Sequence, residues 1–156
     1  MSENNDKRAR QAFDTLCTTY EQLDWKYEKN EDELTVECNV SGEDLPIRII
    51  VIIDAKRQLI RMLSPLPFTI DESHRNEAAL VTCYTNYMLA DGSFDYDYFE
   101  GHIFFRMTSS FKESLIGTEL FRYMIACACT TIDEYNDKFL AVSKGLLSVD
   151  DFIKNL

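Results

Sequence analysis

From Leu34 to Val40 the chain alternates. Leu34, Val36, Cys38 and Val40 are apolar, and Thr35, Glu37 and Asn39 between them are polar. A period of two predicts a half-buried strand. Upstream, Ala9, Ala12, Phe13, Leu16, Cys17 and Tyr20 recur at helical spacing and predict a helix over about 6–22. Trp25 and Tyr27 follow, then a polar turn. After a second turn at Ser41-Gly42-Glu43-Asp44 comes a different strand, Ile47 to Ile53, in which Ile50 and Ile52 share a face with Arg48. Apolar residues on both faces predict a central strand covered on both sides. A third strand is expected near Gln58 to Leu63, ended by Pro65 and Pro67, which lack ladder donors.

A second helix, capped by Asp71 or Ser73, should run to about Ala90 with the apolar stripe Leu80, Cys83, Tyr84, Tyr87 and Met88. A hairpin follows from Ser93 to Met107. The longest helix then carries Leu120, Phe121, Met124, Cys127, Ala128, Ile132, Tyr135 and Phe139. Gly145 is placed to stop it, and Ser148 to Asp151 has the spacing of a capping box before a short last helix. The expected order is α-β-β-β-α-β-β-α-α. Short turns between consecutive strands make this an α+β fold, one domain over 1–156, with a five-stranded antiparallel sheet and flanking helices.

The hairpin raises a question of chemistry. Asp91, Asp95, Asp97 and Glu100 lie within ten residues, between Gly92 and Gly101. A helix-loop-helix calcium loop needs oxygen ligands at positions 1, 3 and 5, glycine at 6 and glutamate at 12. Starting at Asp91 puts Tyr96 sixth and His102 twelfth; starting at Asp95 puts Phe99 fifth and Glu100 sixth. Both registers fail. Alternation describes the segment better, with Phe94 and Tyr96 on one side and Ser93, Asp95 and Asp97 on the other. It reads as a charged hairpin.

The remaining candidates for chemistry are few. Cys127 and Cys129, two apart on a helix, point to nearly opposite sides and would not converge on one ion. His74 in the first turn of a helix and His102 beside a turn could each serve as a general base, but both read as surface histidines. There is no glycine-rich phosphate loop, nucleophile elbow or HExxH. The expectation is a non-enzyme with no cofactor and no metal. The 16 basic and 27 acidic residues give a net charge of −11, which disfavours nucleic acid and anionic membranes and favours a basic protein partner or simple solubility. A polar start without an apolar core segment, and five scattered cysteines, predict a cytoplasmic chain with reduced thiols.

The strongest functional hint is the second face of the sheet. Ile50 and Ile52 lie on it, one of the pairs Ile60/Met62 or Leu59/Leu63 must join them, and Phe104 belongs there if Ile103, Phe105 and Met107 face the core. Ile50, Ile52, Met62 and Phe104 are the candidate protein interface. Either the long C-terminal helix covers this face, or another polypeptide does. A different reading gathers Tyr96, His102 and Phe104 into an aromatic ligand pocket, as in a small-ligand sensor or minor enzyme.

An aromatic near "LDWKYE", a meander "LTVECNV…IRIIVIID…QLIRML", a helix ending in "TNYMLADGSFDYDYFEGHIFFRMT" and a long closing helix together resemble the YbjN family. These are bacterial proteins described as candidate sensory transduction regulators, similar in fold to type III secretion chaperones. The most specific stretch is Asn86 through Arg106. The resemblance implies a homodimer-prone, chaperone-like or regulatory binding module, with the sheet as partner surface and no catalytic residues. The polar N-terminal start and the tail "SVDDFIKNL" depart from the family pattern.

Overall fold

A computed structural model describes residues 3–154. Helix α1 (Glu3–Gln22) is followed by strands β1 (Glu28–Asn30), β2 (Thr35–Ser41), β3 (Pro46–Asp54) and β4 (Leu59–Thr69). A single 3-10 turn, Glu72–His74, leads into α2 (Arg75–Met88); then come β5 (Ser93–Asp97), β6 (His102–Ser110), α3 (Thr118–Ser143) and α4 (Val149–Lys154). The strands form one antiparallel sheet in the order β1-β2-β3-β4-β6-β5. The class is α+β, as expected, but the sheet has six strands and not five. The additional strand is β1, three exposed polar residues bonded to the edge of β2. It has no apolar alternation to betray it.

β4 also overruns its expected end. Its ladder with β3 stops at the pair Ile50↔Leu63, while the ladder with β6 continues to Pro65↔Phe104 before a register shift towards Thr69. Past Leu63 the β3 side of β4 carries no ladder, so prolines there sacrifice no donor. The Ser64 hydroxyl donates to the Arg48 carbonyl at 2.6 Å and replaces a ladder bond at that point. Neither Asp71 nor Ser73 caps a helix through its side chain; the 3-10 turn intervenes.

The core lies on one face of the sheet. Val36, Cys38, Ile49, Val51, Ile53, Ile60, Met62, Phe94, Ile103 and Phe105 are all buried there beneath the helices. Each such isoleucine or phenylalanine contributes roughly 1.5–3 kcal/mol relative to exposure. Helix α1 packs on β2, β3 and α3, and α3 lies across β3, β4 and β6. Phe94 anchors the far end, with its ring edge-on to Phe105, Tyr135 and Phe139 at 5.2, 5.9 and 5.0 Å. Gly145 closes α3 with φ of +66°, and its N–H and that of Leu146 return to the Val142 and Ala141 carbonyls. The Ser148 hydroxyl accepts the Asp151 N–H at 3.1 Å and donates to its carboxylate at 2.8 Å, which opens α4.

Candidate protein interface

The four hairpin carboxylates do not converge. Arg106 holds Asp95 through two bonds of 2.5 and 3.0 Å. Asp97 accepts the N–H groups of Phe99 and Glu100 and so forms the turn itself. Asp91 accepts the Tyr123 hydroxyl of α3. The hairpin is moored by Asn86, whose side chain accepts the Phe94 N–H at 2.7 Å and donates to the Phe94 carbonyl at 2.8 Å. This amide takes the place of a neighbouring strand at the open edge of β5. Gly92, at φ +72°, lies so close to the Phe105 ring that a Cβ there would sit 2.3 Å from it.

Residues on the other face of the sheet keep the opposite parity. Ile50 and Ile52 on β3, Leu59, Arg61 and Leu63 on β4, and Phe104 and Arg106 on β6 are all part-exposed. Register brings Ile50 against Leu63, Ile52 against Arg61 and Leu63 against Arg106. The result is an apolar diagonal from Ile52 through Ile50 and Leu63 to Phe104. Two bidentate ion pairs flank it. Arg48 grips Glu37 at 2.7 and 2.8 Å, and Arg106 grips Asp95. The Arg48 guanidinium holds the Glu37 carboxyl below the usual carboxylate range, and each carboxylate raises the pKa of its arginine. With side chains 31–50% exposed, these pairs order the surface more than they stabilise the fold.

The structure corrects several expectations here. Met62 is fully buried beside Ile60 under the helices, so Leu59 and Leu63 are the pair that shares the face of Ile50, Ile52 and Phe104. Arg61 between them carried the missing signal, because a lone charge on β4 shuns the helix-covered side. Nor does the long helix cover the second face: α3 packs against the core side, where its Tyr135 and Phe139 meet Phe94. The proposed aromatic pocket does not exist as one site. Tyr96 points to the helix side, where burial raises the pKa of its hydroxyl, while His102 and Phe104 lie on the bare face.

The α2 stripe is also inverted. Ala78, Val81, Thr82 and Thr85 face the core, and Leu80, Tyr87 and Met88 stand 59, 82 and 51% exposed. Tyr84 stacks obliquely on Tyr87 with centroids 6.4 Å apart, and Cys83 is exposed. The larger side chains had marked the wrong side of this helix as the core face. Sequence reasoning therefore missed both the orientation of α2 and Arg61.

The cysteines remain single. Cys127 and Cys129 diverge, the first towards Thr131 and the second partly buried, with its pKa pushed up to about 11 by desolvation, Asp133 and Cys38. Among the described residues no helix is long and apolar enough to cross a membrane.

No family model matches the sequence, and no curated protein matches it. Among solved structures the chain is similar to that described as "YbjN, a putative transcription regulator from E. coli", with a TM-score of 0.57 at 12% identity. The match covers 81% of this chain and 92% of that one. At that identity the likeness is one of architecture, and what it establishes is a YbjN-like fold.

Proposed function

We propose that this protein is a non-catalytic, cytoplasmic protein-binding module, chaperone-like or regulatory, built as a single domain and working as a homodimer. One observation carries the reading: a sheet covered by helices on one side leaves an ordered apolar diagonal bare on the other. Ile50, Ile52, Leu63 and Phe104 occupy that diagonal, and arginine stems border it. A surface of this kind favours a polypeptide partner over a small ligand, because it is broad and shallow. The regulator description of the E. coli neighbour agrees with such a role. The overall charge of −11 steers the choice towards a partner that is basic as a whole.

Self-association has a separate candidate surface. From Ala78 to Ala90 no residue is charged, although Glu77 and Asp91 bracket the segment. Its outward residues are Leu, Cys, Tyr and Met, the composition of the centre of an interface. Two strongly acidic copies meet with least repulsion along such an uncharged stripe, which leaves the bare sheet face of each copy free for another chain.

Light scattering across a wide dilution series, at low and high salt, tests this assignment. The expected result is a dimer in wild type, a folded monomer in Tyr87→Asp, and a dimer still in Phe104→Ser. A wild type that stays monomeric at every concentration removes the homodimer from the reading. Dissociation in Phe104→Ser alone would move the self-contact from α2 to the sheet.

A further inference from the structure

One concavity of the bare face has a local charge opposite to that of the chain. Around the concavity between β4 and β6, Arg57, Arg61 and Arg106 face a single carboxylate, Asp95. Asp95 is committed to Arg106, and Asp54 takes Arg57 at 3.6 Å. Arg48, further along β3, is committed to Glu37. Among the described residues no hydrogen bond or ion pair engages the Arg61 side chain. Its direct cross-strand neighbours are Ile52 and Thr108, and Leu59 and Leu63 flank it along β4.

Every other arginine on this face has a carboxylate in place. Arg61 alone presents its donors, half-sheltered by apolar side chains, with no acceptor. A guanidinium in that setting suits a bidentate carboxylate, and the apolar surround strengthens the pair by thinning the water around it. We propose that the bare sheet face takes a segment of another protein in which one carboxylate sits among apolar side chains, and that Arg61 receives that carboxylate. This rests on the reading of the bare face as the partner surface. The net charge of −11 narrows the class further. A polyacidic segment would be repelled on approach, so a single Asp or Glu between Leu, Ile, Val or Phe residues is the signature, carried by a partner that is basic elsewhere.

The test is selection of a displayed library of random twelve-residue peptides against the wild-type protein. Selected peptides are then measured as soluble peptides against wild type, Arg61→Gln, Arg61→Glu and Phe104→Ser, each first shown by circular dichroism to be folded. The expected consensus holds one acidic residue among apolar ones. Changing that residue to its amide, or Arg61 to Gln, should weaken binding about 10-fold or more. Arg61→Glu should restore binding to the peptide with Lys in the acidic position. Peptides that are lost on Phe104→Ser yet carry no carboxylate, or are indifferent to the amide exchange, overturn the role of Arg61 and leave the face as partner surface. If no selected peptide is sensitive to Phe104→Ser, the reading of the face itself fails, and the Arg61 pairing with it.

Discussion

The two faces of this sheet are made by the same strands, residue by residue, and they obey different rules. On the helix side Val36, Ile49, Val51, Ile60, Met62 and Phe105 are essentially sealed from water, and no charge intrudes among them. On the other side isoleucines, leucines and a phenylalanine alternate with arginines, two of which, Arg48 and Arg106, each hold a carboxylate in a bidentate pair. The first face is organised by packing, the second by register, since cross-strand pairing sets which arginine meets which carboxylate. Stability therefore resides chiefly on one face, and the other contributes little to it.

The sharpest way to break that contrast is to place a charge on adjacent residues of β3. Val51→Asp buries a carboxylate with no partner and should abolish cooperative folding, at a cost of several kcal/mol. Ile52→Asp turns the same charge towards water and Arg61. It should leave the thermal unfolding transition within a few degrees of wild type, while harming peptide binding. Equal destabilisation by the two would mean that both faces are core.

A smaller effect is expected at Gly92. Its φ of +72° disfavours any side chain, and a Cβ would meet the Phe105 ring, so Gly92→Ala should cost about 1–3 kcal/mol in urea unfolding. A neutral result would mean that the hairpin yields freely and does not fix the bare face.

The covered side also makes the protein sensitive to alkali. Burial raises the folded-state pKa of Cys129 from 9.0 to about 11, and those of Cys17 and Cys38 also rise. Between these values the unfolded chain has already lost protons that the folded chain retains. The contribution is thus complete below about pH 9 and is lost as pH rises towards about 11, so denaturant midpoints should fall across that window. In Cys129→Ala the fall should be shallower.

Least of all is expected from the ion pairs on the bare face. Glu37→Gln should change stability by no more than about 1 kcal/mol. Because the folded-state pKa of Glu37 is depressed, its small contribution is present above the unfolded value and disappears as pH falls through the folded one. A large loss in Glu37→Gln would show that this face does carry fold stability.

Much of the architecture was legible because it rests on periodicity. The alternation of β2 and the stripe of α3 pointed to their observed places, and the β-branched run of β3 marked a central strand but wrongly promised cover on both of its faces. Where the pattern failed, the physics differed in kind. β1 is three exposed polar residues paired to β2, so no apolar alternation marks it. β4 tolerates two prolines because one of its ladders has already ended. Alternation could not choose between Ile60/Met62 and Leu59/Leu63, since both pairs are apolar; Arg61 could have decided it. Helix α2 misled most, because its core contacts are small residues, and its large apolar ones lie outside. Hydrophobicity marks a surface for burial without saying whether the same chain will bury it.

Everything proposed for the second face of the sheet requires it to be bare in the folded chain. Isoleucine methyl NMR with a soluble gadolinium chelate tests it most directly, at a dilution where scattering finds one species. Strong relaxation of the Ile50 and Ile52 methyls, with Ile49, Ile53, Ile60 and Ile103 unaffected, is the predicted result. Protection of all six methyls alike would contradict the account, because the second face would then be covered and could not serve as the docking surface.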